Sequence, residues 1–221
     1  MSATFRLDRN RSALFDSNDR RFDPAIRRWR ARAAADPPLD AGAEPLDAIA
    51  AATWLQRESG APLRVPIGVV GPREASAEQR SAAEEVGALC AGCGFVVICG
   101  GRQGVMQSVC EGVARRGGVS IGLLPESDPA LANRFVGIAV ATGIGEARNA
   151  LIARAAFCLI AIGDSFGTLS EIALGRQFDK LVIGLEGAAR VDGVRHVDDP
   201  VAAVTMAAEF VLGVSPGHAS S

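Results

Sequence analysis

Three stretches of the chain hold the residue types best suited to chemistry. They are Gly100-Gly101-Arg102-Gln103-Gly104-Val105-Met106, Thr142-Gly143-Ile144-Gly145-Glu146-Ala147-Arg148-Asn149 and Gly163-Asp164-Ser165-Phe166-Gly167-Thr168-Leu169-Ser170-Glu171. Each lies where a strand signal gives way to a helix signal. Glycine there allows positive φ and close backbone approach, and a helix N-terminus aims free N–H groups at an anion. Arg148 falls in the opening turns of a helix, where a guanidinium can grip phosphate or carboxylate with two parallel hydrogen bonds. The spacing is not G-x-G-x-x-G, so dinucleotide binding of the usual kind is not indicated.

Simpler roles exist for several of these residues. Thr168-Leu169-Ser170-Glu171 reads as a T-x-x-E capping box, with Thr168 as N-cap and Glu171 three residues on. That role alone needs no ligand and is worth around 1 kcal/mol. Arg148 could form an ordinary bridge to Glu146 or Glu171. Val105 and Met106 also suit core contacts of the helix they open. His196 and His218 lie far along the chain from the three stretches, and no Ser-His-Asp or Cys-His arrangement stands out. Lys180 is the single lysine and precedes a strand, away from the glycine-rich junctions, which argues against pyridoxal-phosphate chemistry.

The elements that must position these stretches are legible from Pro66 onward. Short apolar runs predict strands at 67–70, 95–99, 119–124, 135–140, 157–162 and 181–185, with a weaker one at 194–197. Helical spacing predicts helices over 75–90, 104–116, 145–156, 168–178 and 200–212. The strands are continuous apolar runs, the pattern of strands covered on both faces. This predicts an α/β fold: a Rossmann-like, doubly wound, mostly parallel sheet with helices on both faces. In such a sheet ligands sit beyond the carboxyl ends of the strands, where all three junctions fall.

The first 64 residues differ. Helices are expected from Asp23-Pro24 to about Ala34 and from Pro45 to about Ser59, giving an N-terminal helical extension that holds both tryptophans. The organisation expected is an Arg-rich arm and extension over 1–64, the Rossmann domain over 65–213, and a tail over 214–221. Residues 1–34 hold nine arginines against four aspartates, a net of +5 in a chain of net −2, so the remainder carries −7. A docked or solvated arm explains that asymmetry, and nucleic-acid binding is the sharper and less favoured alternative.

With 221 residues, 48% of them hydrophobic and 22% charged, the chain excludes disorder, collagen and coiled coil. No apolar run reaches the roughly 18 residues of a membrane helix. The start lacks the apolar segment of a secretory signal, and five cysteines without a secretory context read as reduced thiols, so a cytoplasmic protein is expected. Cys90-x-x-Cys93 lacks a second pair for a structural zinc site, so no metal site is expected.

Taken together, the order and spacing of the junctions resemble the LOG-like ("lysine-decarboxylase-like") Rossmann family. They resemble most its branch that includes molybdenum-cofactor carrier proteins. There a G-G-x-x-G-V-M loop, an A-R-N stretch and a G-G-x-x-G-T-L-S-E loop occur on successive units. Here these are Gly100–Met106, Ala147–Asn149 and Gly163–Glu171, and the similarity covers about residues 65–212. LOG enzymes cleave cytokinin-type nucleoside monophosphates to base and ribose 5-phosphate, and the resemblance places their catalytic pair at Arg148 and Glu171. It implies ligand or phosphate contacts from Gly100, Gly101, Arg102, Gly104, Val105, Met106, Asn149, Gly163, Asp164, Ser165, Gly167 and Thr168. Two departures stand out: Asp164 replaces the second glycine of the last loop, and Arg148-Asn149 replaces the Arg-Lys of the hydrolases. Both reduce positive charge near a phosphate, and Arg102 is the nearby cation expected to offset Asp164. The resemblance therefore implies a carrier of a phosphorylated nucleotide-like or pterin-like ligand, with molybdenum cofactor or a nucleotide monophosphate as the ligand, in a homodimer or homotetramer. A LOG-type phosphoribohydrolase is the alternative, and a nucleic-acid-binding protein the third.

Overall fold

The computed structural model describes residues 4–33, 39–40 and 42–214. They form two compact units, Met1–Leu63 with Thr205–Ser221, and Arg64–Val204.

The first unit contains five short strands: β1 Phe5–Asp8, β2 Ala13–Phe15, β3 Arg21–Asp23, β4 Arg28–Arg30 and β5 Glu44–Leu46. They pair antiparallel in the order β4-β3-β2-β1-β5. The helix expected at 23–34 is therefore a hairpin through residue 33, and Ala34 with the prolines at 37 and 38 lies outside the described residues. The physical reason is a period of two: Phe22 and Trp29 pair across the strands and turn inward, while Arg21, Arg28 and Arg30 turn outward. Asp23 does cap amides, those of Ala25 and Ile26, but it closes a hairpin turn and starts no helix. Trp29 packs against Phe5 and Phe22 and donates its indole N–H to Leu212 O at 2.6 Å.

The second expected helix is shorter than its pattern. It is α1, Ala48–Arg57, capped by Asp47 accepting from Ala50 N, and Pro45 sits on the edge strand β5, where its missing N–H costs nothing. At least six of the nine N-terminal arginines are ion-paired within this unit, among them Arg9 with Glu44 and Glu58 and Arg20 with Asp16.

The second unit is the doubly wound α/β body. Its strands are β6 Ile67–Val70, β7 Val97–Cys99, β8 Ser120–Leu124, β9 Ile138–Ala141, β10 Cys158–Ile162, β11 Leu181–Leu185 and β12 Arg195–His196. They order as β12-β11-β10-β6-β7-β8-β9, and every pairing is parallel. The helices are α2 Ala77–Cys93, α3 Val105–Arg115, α4 Asn149–Ala155, α5 Phe166–Gln177 and α6 Pro200–Val211, the last crossing from this unit into the first. All five residues of β10 are buried, and Val70, Ile98, Leu159, Ile172 and Val182 share one core cluster. Burying a leucine- or isoleucine-sized side chain contributes about 1.5–3 kcal/mol, so this cluster is a large part of what stabilises the sheet against its helices.

All five cysteines are free and buried. Burial pushes the Cys158 thiol up to about 12 and the Cys90 thiol upward as well, which makes both poor nucleophiles at neutral pH. No helix among the described residues is long and apolar enough to cross a membrane. Of the tail at 214–221 only Val214 is described, so His218 lies outside the described residues.

Candidate functional site

Strand order reverses between β6 and β10, since chain progress runs outward from β6 through β7 and β8 on one side and from β10 through β11 on the other. The loops after β6 and β10 must diverge there, which leaves a crevice at the carboxyl edge. A cavity of about 610 Å³ occupies it, lined from four segments: the loop after β6, Gly100 with Met106, Glu146 with Arg148 and Asn149, and Asp164 through Thr168 with Glu171. That volume suits a small organic ligand.

Arg148 and Glu171 meet at its floor. Arg148 closes the 3-10 turn Gly145–Arg148 and Glu171 lies in the second turn of α5, yet Arg148 Nη1 stands 3.3 Å from Glu171 Oε1. Both are buried, with relative exposures of 4% and 5%. Arg148 Nη1 also donates to Asn149 Oδ1, and Asn149 Nδ2 donates to Ser170 Oγ at 2.9 Å. The glycine at position 100 has a direct reason: a Cβ there would lie 2.6 Å from Arg148 Nη2 and from Met106 Sδ. Arg148 Nε is buried without a hydrogen-bond partner among the described residues. An unsatisfied buried donor costs about 1–3 kcal/mol.

Burial raises the Glu171 carboxyl to about 8, against the opposing pull of Arg148 and with a further push from Glu146. Glu171 is therefore protonated at neutral pH beside a permanent cation. The capping-box reading of this residue fails. Helix α5 begins at Phe166, its N-cap is Ser165, and Ser165 Oγ accepts from Thr168 N at 3.1 Å. Thr168, the expected cap, is instead the third helical residue, and its hydroxyl lies 2.9 Å from Ser165 Oγ. Glu171 thus makes no cap and faces Arg148.

The N-terminus of α5 forms one wall. Gly167 has nothing nearer than 3.7 Å to a Cβ built on it, so its backbone is open to the cavity side. Phe166 is 95% exposed while lining the same cavity. Asp164 also lines the cavity and is exposed, but Arg102 does not offset it, because Arg102 pairs with Glu126. The charged lining is thus two arginines, Arg73 and Arg148, against Glu74, Glu146 and Asp164, with the protonated Glu171 uncharged among them.

The structure brings Gly100, Met106, Arg148, Asn149, Asp164, Ser165, Gly167, Thr168 and Glu171 together at the cavity and leaves Gly101, Arg102, Gly104, Val105 and Gly163 out of its lining. These five serve the bends. Gly101 O accepts from Asn133 N and Arg102 O from Asn133 Nδ2, while Val105 N donates to Pro72 O at 3.1 Å. The amide of Val105 is consequently spent inside the fold and is no anion donor. Gly163 holds φ at 69° against the side chain of Gln79. Gly104 holds φ at 67°, and a Cβ there would overlap the carbonyl oxygens of Pro72 and Arg73, which are backbone and cannot swing away. Gly104→Ala is expected to destabilise the body by roughly 2–4 kcal/mol, combining positive φ with a backbone clash, and urea melts will check this.

Sequence reasoning missed Arg73 and Glu74, gave Glu146 only as a bridging partner of Arg148, and gave Phe166 no role. The signal for the first two was present: Gly71-Pro72 ends the strand β6, and β6 is one of the two strands flanking the crevice. Which strand flanks the crevice depends on pairing order, and that is a property of the folded sheet.

Comparison with known proteins agrees with this architecture. An uncharacterized protein of Archaeoglobus fulgidus is 38% identical over 138 residues, spanning 62% of this chain and 91% of its own. The molybdenum cofactor binding protein of Rippkaea orientalis superposes with a TM-score of 0.64 at 31% identity, covering 67% of this chain and 99% of the other. The molybdenum cofactor carrier protein of Chlamydomonas reinhardtii gives a TM-score of 0.60 at 30% identity over the same shares. These neighbours agree with the Rossmann-like α/β body and with a ligand-binding role. The model of the SLOG cluster4 family matches residues 64–216, well over half of the chain, and with the parallel sheet and its crevice this establishes that the chain belongs to the SLOG cluster4 family.

Proposed function

We propose that the chain binds a small phosphorylated ligand of the nucleotide or pterin kind in the crevice between β6 and β10, as a carrier, with molybdenum cofactor as one such cargo. The observation that carries this reading is Arg148: a buried guanidinium lining a cavity that the first residues of α5 also line. In the proposed complex Arg148 and the first amides of α5 hold the anionic group, and Phe166 stacks on the planar ring. Among the described residues no group of three or more His, Cys, Asp or Glu is placed to hold a metal ion, so a metal-bearing cargo would be gripped through its organic and anionic parts. The names of the two solved neighbours support a pterin-type cargo.

The enzyme reading has one specific observation in its favour. Glu171 keeps its proton to about pH 8, and a protonated carboxyl beside a phosphate-holding arginine suits general-acid release of a base from a nucleoside monophosphate. Incubation with AMP and related monophosphates separates the readings. The carrier reading expects saturable binding with no free base above background. Steady release of base, abolished by Glu171→Gln, would replace it with the phosphoribohydrolase.

A further inference from the structure

Resting on that ligand-binding reading, one feature of the cavity goes further. Both of its arginines are already engaged by the same carboxylate. Glu146 Oε1 lies 3.2 Å from Arg73 Nη2, and Glu146 Oε2 lies 3.9 Å from Arg148 Nη2. One oxygen per guanidinium is the arrangement that a phosphate or carboxylate of a ligand would take up. We propose that Glu146 is a built-in competitor: its carboxylate occupies the place of the ligand's anionic group, and anion binding displaces it.

The local structure allows the exchange. The Glu146 side chain is 65% exposed, whereas that of Arg148 is 4% exposed, so the carboxylate can leave while the guanidinium stays. The turn that carries Glu146 is anchored through its backbone, Gly143 N to Glu126 O at 3.0 Å and Gly145 N to Pro125 O at 2.9 Å. Only the side chain has to rotate. A phosphate brings more oxygens and more charge than a carboxylate, so it can replace Glu146 on both arginines and also reach the amides of α5. The competitor lowers affinity and keeps release reversible, as a carrier requires. It also offsets part of the charge of Arg73 and Arg148 when no ligand is bound.

Calorimetric titration of inorganic phosphate and of AMP, at one fixed ionic strength, tests the exchange. Glu146→Gln is expected to bind each roughly threefold to tenfold more tightly than the wild type, because an exposed charge pair no longer has to be broken. In an Arg73→Met background the same change is expected to gain about twofold or less, because much of the pair it relieves has gone. Equal or weaker binding by Glu146→Gln overturns the competitor. So does an undiminished gain in the Arg73→Met background, which would mean only general relief of negative charge. Failure of both wild type and Glu146→Gln to bind either anion is a different outcome, and it overturns the ligand-binding reading together with the competitor.

Discussion

Replacing Arg148 by Met is expected to weaken binding of AMP or phosphate by roughly 100-fold or more. Truncating a hydrogen-bonded buried charge costs about 2–5 kcal/mol of binding, against less than 1 kcal/mol for an exposed one. Arg148 belongs to the first class, with 4% of its surface exposed and its guanidinium spread over Asn149 and Glu171. The same change alters stability in a pH-dependent way. Without the cation, the Glu171 carboxyl rises further above about 8 and remains neutral at pH 6, so little is lost there. At pH 9 the wild type holds an ion pair where the variant holds a buried lone acid, and the variant melts lower. Near-wild-type affinity in Arg148→Met would remove this residue from the site.

The second large effect concerns Glu171 itself. Its folded pKa of about 8 lies above the ordinary carboxylate value of 4.5. The folded state therefore binds the proton more tightly than the unfolded chain, and this contribution to stability is complete below about pH 4.5. It is lost progressively as pH rises and is gone above about pH 8, at ~1.4 kcal/mol for each pH unit between the two values. Glu171→Gln removes the titration while keeping the size and a hydrogen-bonding head. The variant is expected to match the wild type near pH 5 and to exceed its melting temperature at pH 8.5, with the difference growing between. A wild type whose stability is flat from pH 5 to 8.5 would contradict a buried, protonated acid at this position.

How much of this was readable beforehand varies along the chain. The body was legible because buried parallel strands are written as unbroken apolar runs, such as Cys158–Ile162, and because glycine marks the junctions that follow. Arg148 and Glu171 were legible as residue types, but their contact was not. It depends on α4 and α5 lying side by side, which no spacing along the 23 positions from one to the other encodes. The start of α5 was misread by two residues, because Thr168 and Ser165 are both favoured cap types in isolation and the fold uses Ser165.

The N-terminal unit misled for a related reason. Asp23-Pro24 is a good helix start locally, yet Trp29 had to reach both Phe5 and Phe22, and a two-residue period achieves that where a helix does not. The arginine of the Gly100–Met106 bend illustrates the opposite limit. Arg102 looked available to a ligand from its neighbours in sequence, but Glu126, distant along the chain, holds it.

The most direct measurement is an amide NMR titration of the wild-type chain with AMP. The account predicts saturable shifts concentrated at Phe166 and Gly167 and at the Arg148 side-chain Nε–H, fading in Arg148→Met. Saturable shifts confined to another surface, with these amides and the Nε–H unmoved, would contradict it.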